Sequence, residues 1–376
     1  MSPESKLSVG QPLPPNPYEQ GSDNYEAYER CLQLERRPAW NAFLDDVPQN
    51  HPYEDIVQTM TTIVTARVLG HGLHFAPNDS GRNALVCDIL ACSQLELALL
   101  AYLYVFGLIR VFYNPEGPTP AVTPTVTPRL LLKVAAQDSH LLEPSSSNAA
   151  ELRALTLRRD DHRCVFTGKV DRRSRQRGIV GPSPEATATN VAHIISQSLT
   201  DNINGVTPAH QAKFEWARTA GAMLEHFGGF NARNVLNQDN IHSPKNAFTA
   251  SIDPHEMFDQ LDIWLTPAMD GQGQAVPDTY DVAHAAGLGA ILDATKIKRQ
   301  VVFRTLSVDG KPIPAPDPRI IELHAACARI AHMSGAVELL RELYGEPDSI
   351  VVMTQPNAAY ELTRALRTLQ LVSATD

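Results

Sequence analysis

A stretch rich in proline and threonine divides this chain more firmly than any other feature of its sequence. Five prolines lie between Asn114 and Leu132. Proline lacks the backbone N–H that helices and sheets use, and it disfavours helical backbone in the residue before it. We therefore expect residues 114–147 to be a connector. Residues 46–113 are predicted to form a helical region, and residues 1–45, rich in Pro, Ser, Asn and acidic residues, a largely disordered arm with one short helix.

Length and composition indicate more than one compact unit. The 376 residues exceed the usual size of a single domain, and 43% of them are hydrophobic, enough for a substantial core. Apolar residues at spacings of three and four predict helices over Asp55–Leu69 and Asn83–Ile109. The run from Ile89 to Ile109 has the length of a membrane-spanning helix, but Glu96 within it favours a core helix. We therefore expect no membrane contact.

Charge and cysteine content exclude several classes of protein. The net charge of −10 argues against a protein that coats nucleic acid or anionic membrane through its whole surface. Any such binding must come from a local patch. The five cysteines contain no CxxC pair, which argues against a structural zinc site and a disulfide scaffold. The N-terminus has no apolar secretory segment, so an intracellular location, cytoplasmic or nuclear, is expected.

Two further units are predicted after the connector. Residues 148–270 begin with a short helix, AAELRALTLRRDD, followed by HRCVFTGKV as a strand that enters a hairpin and NVAHIIS as the returning strand. An amphipathic helix around Trp216 follows. Residues 271–376 are predicted to be a mixed α/β extension packed on this unit, with VVFRTLSV as a strand and a helix from Arg319 to about His332.

Three short segments of residues 148–270 carry the groups with the most obvious chemistry. His193 lies in NVAHIIS, Asn246 in IHSPKNAFTAS, and His255 and Asp259 in DPHEMFDQLDIWL. In the last segment Asp253 is predicted to cap a helix, with a glutamate three residues later as in a capping box. His255 and Asp259 are then four residues apart and share one helical face. A neutral imidazole and a carboxylate on one face can hold a divalent cation.

The order of these motifs resembles a known family. CVFTG, AHII, NAFTAS and HEMFD followed by IWL resemble the HNH nuclease domain found in many fungal proteins, and PAPDPRIIELHAACARIAHMSGA resembles the C-terminal block of those chains. The matches cover about residues 150 to 340. The resemblance implies an α+β fold in which a ββα-metal (HNH-like) core, a two-stranded hairpin and a helix clasping one divalent metal ion, lies between the helical N-terminal region and the mixed α/β extension.

The resemblance also implies roles for the motif residues. His193 would be the general base that accepts a proton from water as it attacks a phosphodiester. Asn246 would brace the hairpin and orient that imidazole through its side-chain amide. His255 and Asp259 would hold the metal ion, Mg²⁺ or Mn²⁺, with Zn²⁺ or Ni²⁺ as alternatives. The activity implied is metal-dependent hydrolysis of DNA or RNA, with DNA favoured.

One departure from the family pattern leaves a second interpretation open. Many HNH nucleases place a metal-binding Asp or His directly before the base, whereas this chain has Ala192 there. The chain could then be a catalytically weak or inactive module that binds nucleic acid or another protein. His242 lies close enough to Asn246 in the sequence to be a rival member of the site.

A basic stretch stands out in this acidic chain. Its arginines are predicted to contact phosphate, although a solvated loop would have the same composition. The arginines concerned are Arg158, Arg159, Arg163, Arg172, Arg173 and Arg175.

Overall fold

The fold is that of a computed structural model of the chain. It describes residues 10–37, 60–113, 149–182, 185–199, 207–232, 241–308 and 310–344. The predicted connector over residues 114–147 lies outside these ranges. So does the end of the predicted extension, residues 345–376.

Helices dominate the described residues, and the strands form small sheets, as expected for the α+β class. The helices are α1 (Asp23–Glu35), α2 (Thr62–Phe75), α3 (Asp79–Ala91), α4 (Gln94–Tyr102), α5 (Ala149–Arg159), α6 (Arg172–Gln176), α7 (Pro208–Gly228), α8 (Ile252–Asp259), α9 (Gly289–Thr295), α10 (Pro318–Ser334) and α11 (Ala336–Tyr344). The strands are β1 (Val170–Asp171), β2 (Ala186–Thr187), β3 (Thr189–His193), β4 (Ala247–Ser251), β5 (Ile263–Met269), β6 (Ala275–His284), β7 (Gln300–Val302), β8 (Leu306–Val308) and β9 (Lys311–Ile313).

The described residues of the N-terminal arm contain one helix, α1, and this helix is packed against the rest of the protein. Tyr28 and Cys31 are completely buried, and α1 packs on α2 and α3. The side-chain oxygen of Ser22 caps the helix by accepting the N–H of Tyr25. The polar composition of the arm concealed the apolar face of this one helix, which is buried by residues distant in sequence.

The long apolar run is a broken helix in the protein core. The predicted helix over Asn83–Ile109 is interrupted at Ser93, whose N–H donates to the carboxylate of Glu96 at 2.6 Å. After α4 the chain continues as a π-helix over Leu103–Ile109. The indole N–H of Trp216 in α7 donates to the carbonyl of Phe106 at 2.9 Å within that π-helix. In the part of the chain that the structure describes, no helix is long and apolar enough to cross a membrane.

The hairpin that contains NVAHIIS differs from the predicted one. β3 pairs antiparallel with β4, with Thr189 opposite Ser251 and His193 opposite Ala247. The predicted partner, HRCVFTGKV, forms a tight turn in which the N–H of Gly168 donates to the carbonyl of Cys164 at 2.8 Å. The N–H of Val165 in this turn donates to the carbonyl of Thr249 in β4 at 2.9 Å, so the segment lies beside β4 and is not the strand partner of β3.

The C-terminal region, from β5 onward, packs against both the N-terminal helical region and the region that contains the β3–β4 hairpin. β5, β6 and β7 form one antiparallel sheet, and β8 and β9 form a separate hairpin, so the predicted single strand VVFRTLSV is split. Helix α10 packs on both α2 and β5. Its buried His324 stacks on Phe258 of α8 with ring centroids 3.9 Å apart, and meets Phe112 edge to face. A single apolar core therefore runs through all three regions.

A buried arginine ties α5 to the hairpin. The side chain of Arg159 is fully buried and forms an ion pair with Asp160, Nε to Oδ1 at 2.8 Å. Its guanidinium also donates to the carbonyls of Pro244, Ala247 and Pro314 at 2.7–2.9 Å. All five N–H donors of the guanidinium are thereby used. Asp160 in turn accepts the N–H of Thr249 in β4 at 2.7 Å.

Replacing Arg159 should lower the free energy of unfolding more than replacing its neighbour Arg158. We expect Arg159→Ala to lower the free energy of unfolding by about 3–5 kcal/mol, because Asp160 is left as an unpaired buried charge. Arg158→Ala, at an exposed position on the same helix, is the matched control and should leave it nearly unchanged. Chemical denaturation followed by circular dichroism measures both. Equal losses for the two variants would contradict the role given to Arg159.

Candidate functional site

His193 is the last residue of β3. The imidazole is partly buried. Burial, followed by the nearby imidazoles of His242 and His255, lowers the pKa of His193 to about 3. The ring is therefore neutral around pH 7 and has one nitrogen lone pair for a proton or a metal ion.

The imidazole of His242 contacts that of His193. Nε2 of His193 lies 3.3 Å from Nδ1 of His242, and the two rings meet edge to face. In the sequence His242 is only a rival for the site, and no local pattern singles it out. The contact depends on the pairing of β3 with β4, which brings residues 49 positions apart together.

Asn246 fixes the main chain next to both histidines. Its side-chain oxygen accepts the N–H of Ile195 at 2.8 Å, and its amide nitrogen donates to the carbonyls of Ile195 and Ile241, each at 2.9 Å. These bonds connect the chain just after His193 to the residue before His242. Both amide N–H groups are used on carbonyls, so they cannot also donate to an imidazole. The predicted bracing of the hairpin is observed, but the predicted direct contact with the imidazole of His193 is not.

His255 and Asp259 form a pair on α8. Nε2 of His255 lies 3.4 Å from Oδ2 of Asp259, and about a fifth of each side chain is exposed, 21% and 19%. Burial lowers the pKa of His255, so that its imidazole is neutral and can bind a metal ion. The i, i+4 spacing thus places an imidazole and a carboxylate side by side, as the sequence predicts.

The cap of α8 differs from the prediction. The helix begins at Ile252, with Ser251 at the N-cap position, so Asp253 lies inside the first turn and does not cap it. The hydroxyl of Ser251 donates instead to the sulfur of Cys164 at 3.3 Å. β4 runs directly into α8, and this continuity moves the start of the helix toward the strand.

The donors are suitable for a metal ion, but the set is incomplete. Within the described ranges, no group of three or more His, Cys, Asp or Glu side chains is placed to hold one. Ala192, which precedes His193, is completely buried and pairs with Phe248. Directly paired residues share a face of the sheet, and the ring of Phe248 packs on Phe258 of α8. Position 192 is therefore buried within the packing of the hairpin and supplies only a methyl group.

The arginine stretch separates into buried and exposed members. Arg159 is buried and bonded to protein carbonyls, so the prediction that it contacts nucleic acid is wrong. The guanidinium of Arg163 is partly exposed and bonds Asp161 and the carbonyl of Gly168. The exposed members are Arg158, Arg172, Arg173 and Arg175.

Three of the exposed arginines lie on α6, which is anchored to the hairpin. Buried Asp171 caps α6 by accepting the N–H of Ser174 at 2.8 Å, and it accepts the hydroxyl of Thr189 in β3 at 2.6 Å. Burial raises the pKa of Asp171, but the hydrogen bonds from Thr189 and Ser174 and the charge of Arg153 outweigh it and lower the pKa overall. A charged Asp171 therefore holds the arginine helix to one end of β3, and His193 lies at the other end.

Comparison with known proteins assigns the central segment to a family. Residues 164–266 match a family model described as HNH endonuclease. No curated protein and no solved structure matches the chain. The matched segment contains β3, β4 and α8 and so includes His193, Asn246, His255 and Asp259. The chain therefore contains an HNH-family domain, which indicates a nuclease-type function on nucleic acid.

The clamp formed by Asn246 can be tested by an isosteric change. Asn246→Asp removes both N–H donors and leaves the carbonyls of Ile195 and Ile241 facing an oxygen, so we expect the free energy of unfolding to fall by at least about 2 kcal/mol. Asn190→Asp makes the same change at an exposed position of β3 and should have little effect. Urea denaturation of both variants measures the difference. An Asn246→Asp variant as stable as the wild type would refute the clamp.

Proposed function

We propose that the protein is a metal-dependent HNH-type endonuclease that hydrolyses phosphodiester bonds in DNA, with RNA as the alternative substrate and His193 as the general base. The observation that carries the proposal is the connection through β4 of two elements: the strand β3, which ends at His193 and pairs with β4, and the helix α8, which follows β4 directly and holds Nε2 of His255 3.4 Å from Oδ2 of Asp259. Both lie within the segment that matches the HNH endonuclease family.

The role of His193 follows from its proton affinity. An imidazole with a pKa of about 3 is neutral but is a weak proton acceptor. The negative charge of a phosphodiester beside the ring would raise that pKa toward neutrality. Binding of the substrate would therefore raise the proton affinity of His193 before the attacking water loses its proton to the ring.

His255 and Asp259 would hold one divalent cation. An imidazole with a carboxylate suits Mn²⁺, Zn²⁺ or Ni²⁺, and Mg²⁺ accepts such a carboxylate when water fills most of its other positions. The ion would offset the negative charge that builds on the phosphate and the leaving oxygen. Because Ala192 contributes no ligand, water and a phosphate oxygen would have to complete its coordination.

The exposed arginines of α6 would bind the phosphate backbone. Arg172, Arg173 and Arg175 lie on a short helix that Asp171 ties to β3. A protein with a net charge of −10 repels nucleic acid over most of its surface, so a local cluster of this kind determines where the backbone can approach.

A second function is favoured by the incomplete donor set. The described residues place no third protein ligand with His255 and Asp259, and a domain with that set could bind nucleic acid or a protein partner and not cleave it. The two functions differ in metal binding and in turnover, and both can be measured directly.

Plasmid nicking with Mg²⁺, Mn²⁺, Zn²⁺ or Ni²⁺ tests the proposal. We expect metal-dependent nicking that falls by about 10²–10⁴-fold in His193→Ala, because the general base is lost. His255→Ala and Asp259→Ala should weaken metal binding measured by isothermal titration calorimetry. The exposed His284, on β6, provides the control variant His284→Ala, which should behave as the wild type.

Two results would count against the enzyme. Nicking that survives His193→Ala would eliminate this histidine as the base. An absence of both nicking and metal binding in the wild type would favour the binding module.

Removal of the three α6 arginines should weaken binding of nucleic acid without destabilising the fold. For Arg172→Ala, Arg173→Ala and Arg175→Ala combined, we expect a higher Kd for duplex DNA and a salt dependence, log Kd against log salt, shallower by about one per arginine removed. A control of equal charge change combines Arg36→Ala, Arg304→Ala and Lys311→Ala, all exposed and outside the matched segment. Equal effects of the two triple variants would mean that only the net charge matters.

A further inference from the structure

We propose that His242 is a positioning residue for His193: it accepts a hydrogen bond from the Nε2–H of His193 and so leaves Nδ1 of His193 as the nitrogen that takes the proton from water. This inference rests on the proposed role of His193 as the general base. It starts from the 3.3 Å separation between Nε2 of His193 and Nδ1 of His242.

Only one arrangement of protons is compatible with a base at His193. A neutral imidazole carries one N–H and one lone pair, so a hydrogen bond between two neutral rings needs one proton between the facing nitrogens. If that proton belongs to His242, the lone pair at Nε2 of His193 is occupied and its Nδ1 carries the proton. No lone pair then remains for water. If the proton belongs to His193, its Nδ1 is a free lone pair.

The main chain holds the two rings in register. His193 ends a paired strand, and Asn246 bonds the carbonyls of Ile195 and Ile241 on either side of the pair. Ser243, the residue after His242, caps a short 3₁₀ turn over Pro244–Asn246 by accepting the N–H of Lys245. A fully buried asparagine thus fixes the main chain from which both partly buried imidazoles project.

The contact also favours the proton transfer itself. When Nδ1 of His193 takes a proton from water, the ring becomes an imidazolium and the hydroxide is left to attack phosphorus. The Nε2–H of His193 is then a charged donor, and charged donors form stronger hydrogen bonds than neutral ones. A charged His242 repels the His193 imidazolium and so lowers the pKa of His193, whereas a neutral His242 that accepts the Nε2–H stabilises the imidazolium without receiving the proton.

The same separation would also suit two imidazoles bound to one metal ion with bonds of about 2.0–2.1 Å. In that arrangement His193 would donate its lone pair to the metal and could not act as the base. The two arrangements differ in tautomer and in metal affinity, and the experiment is designed to distinguish them.

The test combines His242→Ala, His242→Asn and nitrogen NMR of histidine-labelled full-length protein. The side-chain oxygen of asparagine reaches about the position of Nδ1 in histidine and accepts a hydrogen bond. We expect His242→Ala to lower kcat for nicking by about tenfold, the loss of one hydrogen bond, with KM and calorimetric metal affinity unchanged. His242→Asn should recover most of kcat. The wild-type spectrum should show His193 protonated at Nε2, with a mixture of tautomers in His242→Ala.

Three results would overturn the inference: a wild-type His193 protonated at Nδ1, a loss of metal affinity in His242→Ala, or a His242→Asn variant as slow as His242→Ala. Thermal unfolding verifies that both variants are folded. If they are not, the wild-type spectrum still decides the question. The tautomer is read without turnover, so an inactive protein with His193 protonated at Nε2 would contradict the proposed function and leave the positioning intact.

Discussion

The hairpin that carries the candidate site depends on one buried guanidinium. Removing an ion pair from water is costly, and such a pair stabilises a fold only when its remaining donors are also bonded. Arg159 meets that condition, because Asp160 and three carbonyls use all five of its N–H groups. Two of those carbonyls belong to Pro244 and Ala247, on either side of Asn246. The position of Asn246 is therefore set by a contact from α5, at the opposite end of the domain sequence.

Asn246, held in this position, fixes the main chain beside two histidines of the candidate site. It touches neither imidazole through its amide protons, yet it bonds the main chain beside both His193 and His242. In a site arranged in this way, the fixed backbone preorganises the two imidazoles before a substrate binds. The pair on α8 is set separately, by helical spacing and by the packing of Phe258. The domain thus assembles two half-sites by different means, one through a clamp and one through a helix.

The sequence predicts the residue types of the site better than their surroundings. Helical spacing is a local property, and the His255–Asp259 pair is observed as predicted. Strand alternation is also local, but it does not identify the partner strand, so the sequence does not predict the pairing of β3 with residues more than 50 positions away. Arg158 and Arg159 illustrate the same limit. They are identical neighbours in a basic stretch, and only distant carbonyls make one of them internal. The contact of His242 with His193 depends on the same strand pairing, so the sequence does not predict it either.

The stacking of His324 on Phe258 has a consequence for how such a domain can be inherited. Phe258 of α8 stacks on His324 of α10, a helix that begins more than fifty residues after α8 ends. On its other side His324 meets Phe112 of the N-terminal helical region edge to face. A gene fragment limited to the family segment would encode the His255–Asp259 pair without the residues that pack against its helix. Recombination could therefore move this domain between proteins only together with its flanking helices, or into a host that supplies equivalent ones.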